Sequence, residues 1–255
     1  MKNIYRVIVG IIQGIFERLP VSSSGMIVLT LTYLHVDPVE ALRSAFFLHL
    51  GTALAAIIYF RRELLEATEE FLSLKLDDYR KAVMLSVLVS AAVALIVLHY
   101  LYYNLERYGS ALVGSMLIIT GIMLELTRSG NKKISYEAAL LAGIAQGFAV
   151  IPGISRSGST LFALGILGVD GEEALRFSFI ISIPVVIAAA IFLGYQGIST
   201  GVLIGFLLAF IFGYLTIDAL LKLVNRIRRG PLLILLGSLA VGFYVLAKRA
   251  IFTFL

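Results

Sequence analysis

The sequence predicts an all-α polytopic membrane protein built from two inverted repeats, each a re-entrant helical hairpin followed by three transmembrane helices. Three observations predict it. Hydrophobic residues fill 60% of the 255 positions and charged residues only 15%, against about 25% charged in soluble chains. Six apolar stretches are long enough to cross a bilayer, which takes roughly 17–25 residues. The chain also matches itself at one fixed displacement of 133 residues. A mean hydropathy of +0.97 excludes a soluble enzyme, a disordered chain and a disulfide scaffold. The absence of cysteine removes thiol chemistry. The net charge of +5 comes from basic residues scattered among short loops. That suits a positive-inside bias, and no nucleic-acid partner is expected.

The elements follow in chain order. Lys2 and Arg6 precede an apolar run that continues into Glu17 and Arg18 with no small-residue cleavage site, so residues 1–16 read as mature protein rather than a signal peptide. Residues 7–16 and 26–36 are too short to span and flank the polar turn Pro20-Val21-Ser22-Ser23-Ser24-Gly25. Full spans are expected over 44–60, 82–103 and 108–124, with 61–81 as a solvated loop holding a short helix. Residues 137–151 and 159–169 then flank Pro152-Gly153-Ile154-Ser155-Arg156-Ser157-Gly158, and spans follow over 177–195, 197–217 and 231–247. Each short pair enters apolar, breaks at Pro and Ser, and leaves apolar. Such a break is tolerated at membrane depth only when buried in protein or facing water.

Three separated blocks share the displacement. Val36–Arg43 matches Val169–Arg176 at six of eight positions, and Gly10–Gly14 matches Gly143–Gly147 at four of five. Ser22-Ser23-Ser24-Gly25 falls on Ser155-Arg156-Ser157-Gly158. The whole chain, 1–255, therefore reads as one membrane domain with repeats over 1–130 and 134–255. Three spans per repeat is an odd number, so the second repeat sits upside down, with both polar turns meeting near the midplane. Lys and Arg number twelve on loops 61–81, 127–136 and 222–230 and six on the other face. This puts the first face in the cytoplasm and both termini outside. Tyr59, Tyr100, Tyr102 and Tyr103 at span ends suit an interfacial belt.

The chemistry concentrates at the turns. An Arg at membrane depth costs about 2.5–3.5 kcal/mol to insert, so Arg156 needs a partner. An anion held by its guanidinium, the turn amides and the following helix N-terminus is one such partner, and Glu17 is another. Ser155, Ser157, Ser159 and Thr160 add hydroxyls. Gln13 and Glu17, four apart, share a helix face. The carboxylate there can hold a divalent cation or act as a general base. Ser22, Ser23 and Ser24 offer a nucleophile or simply form and cap the turn. His49 is an intramembrane His, a functional candidate or a hydrogen-bond partner to a neighbouring helix. His35 and His99 lie at segment ends.

Gln13-x-x-x-Glu17 followed by Leu19-Pro20-Val21-Ser22-Ser23-Ser24-Gly25 resembles the first signature of the undecaprenyl-pyrophosphate phosphatase, or bacitracin-resistance, family. Pro152-Gly153-Ile154-Ser155-Arg156-Ser157-Gly158-Ser159-Thr160 resembles its second. His49-Leu50-Gly51-Thr52 and Arg176-Phe177-Ser178-Phe179 also read as family segments. The resemblance implies a plasma-membrane phosphatase that removes the terminal phosphate of a polyprenyl diphosphate at the outer face, with Mg²⁺ or another divalent cation. Glu17, Ser23 and Arg156 are the implied catalytic residues, and Gln13 and Glu17 the metal ligands. Ser22, Ser24, His49, Gly153, Ser155, Ser157 and Thr160 are expected to contact substrate. Met26 departs from the family, which commonly carries His there, so the nucleophile is Ser23 or water. A lipid-phosphate transporter of inverted-repeat type and an inactive lipid-binding homologue are the rival readings. A homodimer is compatible with such a chain, and no residue pattern fixes one.

Overall fold

The computed structural model describes residues 4–17, 22–72, 77–193, 200–223 and 238. The expected span 231–247 apart from residue 238, together with Arg18, Pro20, Val21 and both chain ends, lies outside the described residues. Among those described, the chain is helical throughout, with one isolated parallel bridge between Lys132 and Val169. The helices are α1 (Ile4–Phe16), α2 (Ser23–Tyr33), α3 (Pro38–Tyr59), α4 (Arg61–Leu72), α5 (Asp78–Leu126), α6 (Tyr136–Phe148), α7 (Arg156–Ile166), α8 (Gly171–Leu193) and α9 (Thr200–Leu223).

Among the described residues, four helical segments are long and apolar enough to cross a membrane: Pro38–Tyr59, Asp78–Tyr100, Gly171–Phe192 and Thr200–Ile217. With 13, 11, 13 and 11 residues, α1, α2, α6 and α7 rise only about 17–20 Å each. A hydrocarbon core is about 30 Å thick, so none of the four crosses it alone.

Matching local chemistry starts matching helices. Ser22 Oγ accepts from the Gly25 amide at 3.2 Å and caps α2, and Ser155 Oγ accepts from the Gly158 amide at 3.1 Å and caps α7. Asp37 takes the Val39 and Glu40 amides at the head of α3, with Pro38 in the first turn. Asp170 does the same for Glu172 and Glu173 at the head of α8.

Two sequence expectations change here. The segments 26–36 and 159–169 begin three residues earlier, because the serine caps draw Ser23, Ser24 and Gly25, and likewise Arg156, Ser157 and Gly158, into the first helical turns. The expected spans 82–103 and 108–124 belong to one 49-residue helix, α5. Asn104 to Ser110 is polar, holds no proline and ends in Gly109-Ser110, a pair at which a helix can kink without stopping. That helix is not straight. A Cβ on Gly147 would meet Ser90 and Val93, and one on Gly153 would meet Val113 and Met116. From Gly147 to Gly153 the chain reaches about 21 Å at most, whereas a straight helix from Ser90 to Val113 rises about 35 Å. Thus α5 bends between its two apolar arms.

Small residues set the helix spacing, as membrane packing favours. Gly10 and Gly14 seat α1 on Gly205, Ala209 and Phe212 of α9, and Gly143 and Gly147 seat α6 on Ser86, Ser90 and Val93 of α5. One buried cluster joins Leu164, Leu175, Phe177 and Ile181 of α7 and α8 to Ala139 and Ala142 of α6. A second joins Ile27, Val28 and Leu31 of α2 to Leu42 and Phe46 of α3 and to Val113 and Leu117 of α5.

Candidate active site

The two turns touch through their backbones. A Cβ on Gly25 would lie 2.9 Å from Gly153 N and Cα, so glycine at 25 is what allows the approach. Gly153 has φ +103°, a conformation glycine adopts without steric penalty. Its amide donates to Ser22 Oγ at 3.1 Å and its carbonyl accepts from Thr120 Oγ1 at 3.0 Å. Thr120 Oγ1 also accepts from the Ser155 amide at 3.1 Å, which anchors the second turn to the distal arm of α5.

Where the turns meet, Glu17 is the hub. It is 7% exposed. Its Oε2 accepts from Ser23 Oγ at 2.5 Å and from Gln13 Nε2 at 2.8 Å, and lies 3.0 Å from His49 Nδ1. Its Oε1 pairs with Arg156 Nη2. Gln13 Nε2 also contacts His49 Nδ1 and reaches Thr52 Oγ1 at 3.5 Å. Because Glu17 can only accept when ionised, the Gln13 amide nitrogen is the atom facing it, which leaves Gln13 Oε1 buried without a hydrogen-bond partner among the described residues. The pairing with Glu17 gives Arg156 one of the two partners expected from the sequence.

A cavity of about 40 Å³ opens on this hub, room for about three water-sized groups at roughly 10–15 Å³ each. Glu17, Ser22, Ser23, Ser24, His49, Ser155, Arg156 and Ser157 all line it. Gln13, Gly153 and Thr160 stand behind its wall. Gln13 holds Glu17, and Gly153 ties the turns. Thr160 Oγ1 bonds the Arg156 carbonyl at 2.9 Å and Ser178 Oγ at 2.5 Å, fixing the first turn of α7 to α8. The N-termini of α2 and α7 both end at the cavity, so two helix dipoles present their positive ends there. Among the described residues no three His, Cys, Asp or Glu side chains group to hold a metal.

One lining residue escaped the sequence reading. Gln146 is 2% exposed and faces the same cavity. Its Nε2 donates to the Ile181 carbonyl at 3.2 Å and reaches Ser90 Oγ at 3.1 Å, leaving its Oε1 buried and unpaired among the described residues. The signal was present, since Gln146 is the position matched to Gln13 by the internal repeat. His35, at φ 62° after α2, and the exposed His99 take no part in the site.

The profile described as "Bacitracin resistance protein BacA" matches residues 6–241. A protein of Methanococcoides burtonii named undecaprenyl-diphosphatase is 39% identical, over 92% of this chain and 96% of that protein. One of Methanothrix thermoacetophila with the same name is 35% identical over 97% and 99%. A third, from Haloarcula marismortui, is 34% identical over 92% and 94%.

Proposed function

The chain belongs to the bacitracin resistance protein BacA family, and on that premise we propose how its buried polar site works. Its activity is the one its curated relatives are named for. It is a multi-pass membrane undecaprenyl-diphosphatase that removes the terminal phosphate of a polyprenyl diphosphate, regenerating the lipid-carrier monophosphate. The transporter and inactive-homologue readings are not favoured by those names.

In the proposed mechanism Ser23 is the nucleophile, and the observation that carries it is the 2.5 Å contact from Ser23 Oγ to Glu17 Oε2. Ser23 Oγ attacks the terminal phosphorus while its proton passes to Glu17. The bond from phosphorus to the bridging oxygen breaks, Glu17 returns the proton to that oxygen, and the lipid monophosphate leaves. Water then attacks the phosphoserine, Glu17 takes its proton, and the released Ser23 oxygen recovers it as inorganic phosphate departs. Arg156 and the amides opening α2 and α7 stabilise the charge of the transferring group. On binding, Arg156 is shared between Glu17 and the diphosphate. Ser24, Ser155 and Ser157 offer donors to the remaining phosphate oxygens, while Ser22, Gly153 and Thr160 hold the turns in place. His49 and Gln13 keep Glu17 oriented toward Ser23, which lets the site work with Met26 where the family commonly has His.

A divalent cation such as Mg²⁺ fits the residues present. Gln13 Oε1 is a buried oxygen without a hydrogen-bond partner among the described residues, on the amide whose nitrogen donates to Glu17. Mg²⁺ is usually held by one or two carboxylates, water and substrate phosphates. Gln13 and Glu17 would hold it, and it would supply charge neutralisation at the phosphates.

The two-repeat, inverted organisation over 1–130 and 134–255, with α1–α2 and α6–α7 as re-entrant hairpins, is supported by the matched serine caps, the matched aspartate caps and the matched glycine seats. The loop charges favour a plasma-membrane orientation with both termini outside and the site open to the outer face.

The test is phosphate release from a long-chain polyprenyl diphosphate by purified protein with Mg²⁺, with EDTA and with the Arg156→Ala variant. Metal-dependent release abolished by the substitution supports the reading. Binding without release overturns it.

A further inference from the structure

The bend of α5 encloses a second cavity of about 800 Å³. Its sides are the facing surfaces of the two α5 arms, Val93 to Tyr100 and Ala111 to Met116, and its base is Phe148 and Ile151. Among the described lining residues, only the Ser115 hydroxyl and the Tyr100 phenol interrupt the apolar surface. Ile96 and Tyr100, 63% and 66% exposed, stand at its rim, so it opens sideways rather than into the protein.

This groove and the polar cavity are two sides of one wall. Ala149 and Val150 line the polar cavity, and their chain neighbours Phe148 and Ile151 line the apolar one. Met116, on the groove side, packs against Gly153, three residues before Arg156. A ligand polar at one end and apolar along its length therefore meets both environments at one turn. We propose that the groove inside the α5 bend receives the prenyl chain of the substrate while the diphosphate enters the cavity at Glu17 and Arg156. The inference rests on the phosphatase reading above and adds where the lipid lies.

Lipid tails are as apolar as the groove, so moving a chain from bilayer to groove gains little transfer free energy. What the groove supplies is direction. A chain lying along α5 brings its headgroup to the turn end first, and orientation of this kind raises the rate without tightening binding. A long chain should gain from it more than a short one that barely enters.

The test compares full-length protein with Val97→Trp and Ala111→Trp, each filling the groove at a residue that does not line the polar cavity, on undecaprenyl diphosphate and on farnesyl diphosphate. The expected result is a fall of about tenfold in kcat/KM for the long chain, the size of an overpacking penalty of ~1.4 kcal/mol, with the short-chain value within about twofold of the unsubstituted protein. Equal rates on both substrates, or equal losses on both, overturn the proposal. A diazirine-bearing polyprenyl diphosphate gives a second readout that does not depend on turnover or on the variants folding. Crosslinks to 93–116, competed by undecaprenyl diphosphate, support the assignment. Crosslinks elsewhere, or labelling by a diazirine phospholipid that the diphosphate does not compete, overturn it. If the unsubstituted protein releases no phosphate from either substrate, the phosphatase reading fails, and the crosslinks still decide the groove.

Discussion

Ser22 Oγ accepts the Gly153 amide at 3.1 Å, joining two turns that are 131 residues apart in the chain. The same oxygen caps α2 through Gly25, so one hydroxyl both starts a helix and closes the site.

Ser22→Ala should therefore destabilise more than loss of a helix cap does. A lost cap costs about 1 kcal/mol, and an unsatisfied buried donor adds about 1–3 kcal/mol. A thermal melt in detergent beside Ser135→Ala, which removes only the cap of α6, reads the difference. Equal shifts in the two variants would mean that the Gly153 contact contributes nothing.

Arg156→Ala leaves the Glu17 carboxylate buried and stripped of its counter-charge, which typically costs about 3–5 kcal/mol. Pairing it with Glu17→Gln should recover most of that stability. It should not recover phosphate release, which is expected to stay at least about 10²-fold down from loss of the charge-stabilising donor. Recovery of turnover in the double variant would assign the ion pair a structural role alone.

Ser23→Ala should reduce turnover by about 10³-fold or more, and labelled substrate quenched in acid should leave phosphate on unsubstituted protein only. A variant that still turns over near the normal rate would make water the nucleophile.

Gln13→Glu adds a second carboxylate where an amide oxygen lies unpaired. The Mg²⁺ concentration for half-maximal activity should fall, and it should rise in Gln13→Leu. An unmoved midpoint in both would place the cation elsewhere.

A reporter fused after Leu255 should behave as extracellular. A cytoplasmic signal there would reverse the proposed orientation.

The hydropathy of this chain is enough to exclude a soluble fold, because spans and caps are local properties. Helices α3 and α8 begin six residues ahead of the apolar stretches 44–60 and 177–195, because hydropathy marks only the apolar part while Asp37 and Asp170 cap the helices upstream of it. Gln13 and Glu17, four apart on one helix, are also legible as a pair, since the distance between them is fixed by the helix itself. The apolar stretches 26–36 and 159–169 begin three residues after α2 and α7 do, because the caps Ser22 and Ser155 are recognised only once their amide partners are known.

The sequence by itself determined the helical membrane class, the internal repeat, and the residue types gathered at two turns, all of which depend on neighbours in the chain. Only the tertiary structure decided that Arg156 pairs with Glu17, that His49 comes to the same carboxylate from α3, and that Gln146 joins the cavity. These contacts join residues 32–139 positions apart, and no local pattern encodes such a distance. The bend of α5 is shared between the two: the polar run ending in Gly109-Ser110 separates the apolar arms in the sequence, and the packing of Gly147 and Gly153 against both arms fixes the turn.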